Sequence, residues 1–155
     1  MNRKRVSYLF WFFAVICMGI IFWFSSRTGE QSAGQSSELI EWLTGVLGKD
    51  HMFIAILIIR KGAHCLEFTG LSVFFGGALF FRKSEVCFFD GIALTSLYAI
   101  TDEAHQLFVE GRSCEIGDWA IDTFGALLGA VGLLIIILVC KAIADKRRKN
   151  EHISI

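Results

Sequence analysis

The chain has 155 residues, 54% of them hydrophobic, and no proline, with a mean hydropathy of +0.57. That is too apolar for a soluble domain of this length, so most of the apolar surface is expected to face lipid. The formal net charge is zero, which removes the basic field that nucleic-acid binding requires and the acidic excess of a solvating tail.

The first apolar run, residues 6–24, follows the basic cluster Arg3, Lys4 and Arg5. It is long enough to cross about 30 Å of hydrocarbon. Ser25, Ser26, Arg27 and Thr28 follow it without a small-x-small cleavage pattern, so the run reads as a retained signal anchor. A long first loop comes next. Within it Leu39, Ile40, Leu43, Val46 and Leu47 recur at helical spacing beside Glu38, Glu41 and Trp42, which predicts a short helix lying in the membrane interface.

Further spans are expected at about 61–81, 88–109 and 119–140. The second has two registers open to it. Either lipid begins after Lys61 and Met52 to Ile59 packs outside, or one long tilted helix begins near Phe53. The expected fold is all-α: a polytopic, single-domain, four-helix transmembrane bundle over residues 1–155. Arg3 to Arg5, Arg82 with Lys83, and Lys141 with Lys146 to Lys149 place both termini in the cytoplasm. The five cysteines include no Cys-x-x-Cys and cannot all pair within one chain.

Charges inside a membrane cost about 2.5–3.5 kcal/mol each near the helix centre and call for a reason. In the second span Arg60, His64 and Glu67 form one stripe at i, i+4 and i+7, with Lys61 beside it. The third carries Asp102, Glu103, His105 and Gln106 within one turn. The fourth opens with Asp118 and Asp122, and continues that face through Gly125 and Gly129, a pattern that permits close helix approach. The second and fourth spans enter from outside while the third exits there. Counted in those directions, all three become polar in their outer third, with Glu110, Arg112 and Glu115 at the rim of one outward-open pocket.

Three chemistries fit these residues. Arg60, Lys61, His105, Gln106, Arg112, Asp118 and Asp122 form a candidate ligand-binding set, in which the cations would grip a phosphate or carboxylate on a lipid-linked ligand. His64 with Glu67, Asp102 and Glu103 form a candidate catalytic set, a general base oriented by carboxylates, for hydrolysis or transfer. The pairs His64-x-x-Glu67 and Asp102-x-x-His105 also have a spacing that facing helices use for divalent metals, although no metal or other cofactor is assigned. Ser25 and Ser26 are read as ending the first helix rather than as nucleophiles. The structural alternative is an ion-pair network that fixes helix order. A non-catalytic assembly partner would instead depend on lipid-facing glycines such as Gly76 and Gly77.

The motifs Arg60-Lys61-Gly62-Ala63-His64-x-x-Glu67, Asp102-Glu103-Ala104-His105-Gln106-x-Phe108-x-x-Gly111-Arg112 and Asp118-x-x-x-Asp122-Thr123-x-Gly125, with Phe24-Ser25-Ser26 before them, make the chain resemble the VanZ-like family. The resemblance covers nearly the whole chain in order. It implies a four-helix protein of the bacterial plasma membrane, associated through the family's namesake with resistance to the lipoglycopeptide teicoplanin. The implied partners are membrane lipid and a lipid-linked cell-wall precursor or the lipoglycopeptide itself. Cys65 and Phe68 depart from a more usual aromatic and tyrosine around the His-Glu motif, and Glu110 from a frequent proline.

Overall fold

The computed structural model describes residues 2–28, 31, 34, 36–83 and 86–153. Its helices are α1 (Arg3–Ser25), α2 (Ser37–Leu47), α3 (Met52–Lys83), α4 (Phe88–Gln106) and α5 (Ile116–Ile153), with a 3-10 turn at Lys49–His51. Among the described residues there is no strand. Asn2 caps α1, its side chain accepting from the Lys4 backbone N–H at 3.1 Å.

Three helices, α1, α3 and the part of α5 from Ile116 to Asn150, are long and apolar enough to cross a membrane. Their outer faces expose large apolar side chains, among them Phe12, Ile20, Trp23, Ile58, Ile135 and Leu138. Patches this extensive are what a lipid-facing surface shows. The 19-residue α4 carries Asp90, Asp102 and Glu103 and is not among these three. In α2, Ile40 is buried while Leu39, Trp42, Val46 and Leu47 remain exposed.

Side-chain bonds between helices fix their directions. Ser7 Oγ donates to Ala78 O at 2.8 Å and Cys17 Sγ approaches Glu67 O at 3.9 Å, so α1 and α3 run antiparallel. Thr69 Oγ1 donates to Gly125 O at 2.9 Å and Ser72 Oγ to Ala126 O at 2.7 Å, so α3 and α5 run parallel. Ser96 and Thr123 hydroxyls meet at 2.9 Å, while Glu103 reaches back to Glu115, so α4 opposes α5. Tyr98 OH donates to Met18 O at 2.7 Å between α4 and α1. One end of the molecule therefore holds the α1 N-terminus and the α3–α4 connection. The other holds the end of α1, the start of α5 and the loop after α4.

The α3–α5 seam is backbone against backbone. A Cβ at Gly125 would collide with the carbonyl of Cys65, and one at Gly129 with that of Thr69. The core beside this seam contains Ala14, Ile21, Phe68, Leu71, Phe75 and Ala99, with Trp11 and Tyr98 packed against it.

Several boundaries differ from the sequence expectation. Of the two registers open to the second span, the helix follows the longer, because α3 runs unbroken from Met52 over 32 residues instead of a helix of 61–81 with a separate segment before it. At 1.5 Å per residue that is about 48 Å, longer than a hydrocarbon core, so Arg60 and Lys61 interrupt the apolar pattern without interrupting the helix. The third helix stops at Gln106, short of 109, and the chain turns through Leu107 to Gly111, whose φ of 74° suits glycine. The fourth begins at Ile116 and runs well past 140 to Ile153, since no glycine or proline after Gly132 stops it. Gly76 and Gly77 are not lipid-facing. Both are buried, and their missing side chains admit Leu133 and the Phe10 ring.

Candidate functional site

The stripe Arg60, His64 and Glu67 follows from helical periodicity, and the parallel seam brings α5 alongside it at matching height. Lys61 pairs with Asp118. One turn further in, His64 Nδ1 lies 3.5 Å from Asp122 Oδ1. Asp122, not Glu67, is therefore the carboxylate that faces the histidine. The close approach permitted by Gly125, three residues after Asp122, holds this second pair together.

The loop after α4 closes the site from above. Glu103 Oε2 accepts from the Glu115 backbone N–H at 2.9 Å, and Arg112 Nε donates to the Arg27 carbonyl at 3.2 Å. Arg27 in turn lies over the Trp23 ring, 4.2 Å from its centroid. Burial, reinforced by the neighbouring Arg60, lowers the Arg112 pKa, while Asp102, Asp118 and Glu103 act against the shift.

Two clefts result. One, of about 100 Å³, lies between α3, α5 and the loop, and is lined by Arg60, Lys61, His64, Arg112, Glu115 and Asp118, together with Leu57, Gly111, Ser113 and Ile121. The other, of about 230 Å³, lies between α1 and α3. It is lined by Arg60, His64, Glu67 and Arg112, by Ser25 and Ser36, and by the apolar Ile21, Phe24, Ile59 and Ala63. Arg60, His64 and Arg112 belong to both, forming a shared wall that contains no carboxylate. Among the described residues neither arginine has an acidic partner within ion-pair distance.

Behind this wall lies a layer of buried polar groups. Asp102, Glu103, Gln106 and Asp122 are each at most 3% exposed and line neither cleft. Asp102 Oδ2 accepts from Gln106 Nε2 at 3.2 Å. Among the described residues, Asp102 Oδ1, Glu103 Oε1, Asp122 Oδ2 and Ser25 Oγ lack a protein hydrogen-bond partner, and Asp122 Oδ1 has only its 3.5 Å approach to His64 Nδ1. Unpaired buried oxygens cost stability, so this layer is expensive to keep for packing alone.

His105 does not join the layer. It stacks on Phe22 with ring centroids 4.4 Å apart, and its Nε2 lies 3.0 Å from Ser26 Oγ. It therefore ties α4 to α1 and lines neither cleft.

The VanZ/LLP1 family model matches residues 10–139 of the chain. The chain belongs to the VanZ-like family. No curated protein and no solved structure gives a significant match.

In this VanZ-like chain the donor geometry does not favour a metal centre. Among the described residues, no group of three or more histidine, cysteine, aspartate or glutamate side chains is placed to hold an ion. His64 faces one carboxylate, and His105 is turned to α1. Ser25, read from the sequence as ending the first helix, lines the larger cleft and is 3% exposed. Its signal was the Phe24-Ser25-Ser26 sequence at the helix end. Cys114 is exposed in the loop and unpaired.

Proposed function

We propose that this VanZ-like protein is a four-helix bundle of the bacterial plasma membrane with both termini cytoplasmic, and that it binds a lipid-linked anion at the outer face. The observation that carries the reading is the shared wall of Arg60, His64 and Arg112, where two guanidinium groups line both clefts and, among the described residues, have no acidic partner within ion-pair distance. Guanidinium forks match phosphate and carboxylate oxygens, which suits such a wall to an anion. Lys61 adds charge in the smaller cleft. Asp118 pairs with it, and buried Asp102, Glu103, Gln106 and Asp122 support the wall from behind.

The fourth crossing helix in this reading is α4, about 28 Å long at 1.5 Å per residue. Its Asp102, Glu103 and Gln106 are enclosed by protein rather than lipid, the arrangement in which membrane helices tolerate such groups. The basic residues at the α1 start, at Arg82 and Lys83, and beyond Cys140 favour a cytoplasmic location for that end. The physiological setting is glycopeptide resistance, teicoplanin included, or envelope maintenance, with a cell-wall precursor or the lipoglycopeptide as ligand. Arg60→Gln and Arg112→Gln proteins, matched for expression, are expected to lose the teicoplanin phenotype. Unchanged susceptibility in both would overturn the assignment to resistance, and unchanged anion affinity would overturn the binding reading itself.

A second reading draws on one specific feature: His64 lines both clefts and has Asp122 behind its Nδ1. A histidine oriented by a carboxylate is suited to general acid–base chemistry on a bound ligand. In this reading Glu67, at the edge of the larger cleft, is a further proton-transfer group, while Asp102 and Glu103 act from behind the wall. His64→Gln separates the two readings, because it would abolish turnover while leaving an arginine-held anion bound.

A further inference from the structure

The two clefts differ in chemistry on either side of their common wall. Towards α1, the larger is walled by Ile21, Phe24, Ile59 and Ala63, with Ser25, Ser36 and Glu67 among them. Towards α5, the smaller presents Lys61, Ser113, Glu115 and Asp118. An anion held at Arg60, His64 and Arg112 therefore sits at a junction, with the more apolar space on one side and the more polar space on the other.

Resting on the reading that this site binds a lipid-linked anion, we propose that the ligand is a phosphodiester amphiphile. Its chain begins in the α1–α3 cleft, its phosphate lies at the shared wall, and a small hydroxylated headgroup occupies the α3–α5 cleft. A carboxylate or phosphate monoester ends the molecule that carries it and would leave one cleft unfilled. A diester is substituted on both sides and continues into both. The headgroup must be compact, because the smaller cleft measures only about 100 Å³. Glu115, Asp118 and Ser113 offer acceptors for its hydroxyl donors, whereas the larger cleft sets four apolar side chains beside Ser25, Ser36 and Glu67 and rewards removal of methylenes from water.

The test uses the full chain in phosphatidylcholine nanodiscs, with empty nanodiscs as the partition reference. Three probes are compared: glycerol phosphate, lysophosphatidate and lysophosphatidylglycerol. Lysophosphatidylglycerol is expected to bind tightest, at least about tenfold above either probe that fills only one cleft. Ala63→Trp, which fills the apolar cleft from an exposed position, should remove the advantage of the chain and leave glycerol phosphate binding unchanged. Phe24→Ala, which opens that wall, should weaken only the two chain-bearing probes and serves if the tryptophan variant fails to fold. Equal affinity for glycerol phosphate and lysophosphatidylglycerol, or equal loss of all three probes in Ala63→Trp, would overturn the division of the site while leaving anion binding intact. Binding of none of the probes would overturn the anion-binding reading as well, and so would affinities unaffected by Arg60→Gln and Arg112→Gln.

Discussion

Glu103 Oε2 accepts a 2.9 Å hydrogen bond from the backbone N–H of Glu115, so a side chain buried on α4 anchors the loop that carries Arg112. Replacement by alanine removes the acceptor and leaves that N–H to find another. Glu103→Ala is expected to lower stability by about 1–3 kcal/mol, the usual cost of breaking a buried polar contact. Glu103→Gln keeps a carbonyl oxygen and should lose less. Denaturant unfolding in detergent compares the two; equal stability would show that the loop is held by other contacts.

The α3–α5 seam makes a second, sterically sharp prediction. Gly129 sits against the Thr69 carbonyl, whereas Gly132, one turn further along α5, has nothing within 4 Å of an added Cβ. Gly129→Ala should cost about 1–3 kcal/mol, as overpacking does when backbone must move. Gly132→Ala should be neutral or stabilising by up to about 1 kcal/mol, the helix-propensity gain. The same measurement on both variants separates packing from propensity, and equal effects would argue against the seam.

Much of the helical architecture was legible because apolar runs of membrane length have few alternative folds. The exceptions have physical causes. Arg60 and Lys61 looked like the edge of a span, but a helix ends only when its backbone geometry is interrupted, and these side chains are accommodated by clefts and by Asp118. Glu67 was the nearest carboxylate to His64 along the chain, yet the parallel seam sets Asp122 beside it. His105 and Gln106 follow Asp102 by three and four residues, steps that rotate about 60° one way and 40° the other around a helix. Gln106 consequently turns inward to Asp102, and His105 turns outward to Phe22. Such choices depend on which neighbour occupies each face, information that spacing within one helix does not contain.

Lys61 and Asp118 illustrate how little an ion pair contributes when water reaches it. Their side chains are 36% and 20% exposed, in a cleft rather than a sealed interior. A double-mutant cycle with Lys61→Met and Asp118→Asn should return a coupling energy below about 1 kcal/mol. A coupling of several kcal/mol would instead identify the pair as a structural clamp.

Arg112 should show the opposite relation between stability and function. Burial and the neighbouring Arg60 lower its pKa. Its charged form is thus disfavoured by folding, and the penalty is fully present at any pH below the folded-state pKa. It is relieved only as pH rises through that value, far above neutrality. Arg112→Gln is therefore expected to remain within about 1 kcal/mol of the parent or to exceed it in stability at neutral pH, while losing affinity for anionic ligand. The parent should gain about 2.7 kcal/mol at a ligand concentration a hundred times Kd, and the variant much less. A large loss of stability in Arg112→Gln would mean that its bond to the Arg27 carbonyl outweighs the cost of the buried charge.

Orientation can be read from the cysteines. Cys114 is exposed in the loop after α4, at the end of the molecule that holds the clefts, while Cys140 is exposed far along α5 towards the opposite end. Maleimide chemistry needs an ionised thiol and therefore water, so lipid contact protects a cysteine even where protein does not cover it. If the clefts open outward, a membrane-impermeant maleimide added to intact spheroplasts should label Cys114 within minutes and spare Cys140, and Cys114→Ser should abolish the signal. Protection of Cys114 until the membrane is permeabilised would reverse the topology. It would then place the arginine wall on the cytoplasmic face, where a ligand confined to the outer leaflet could not reach it.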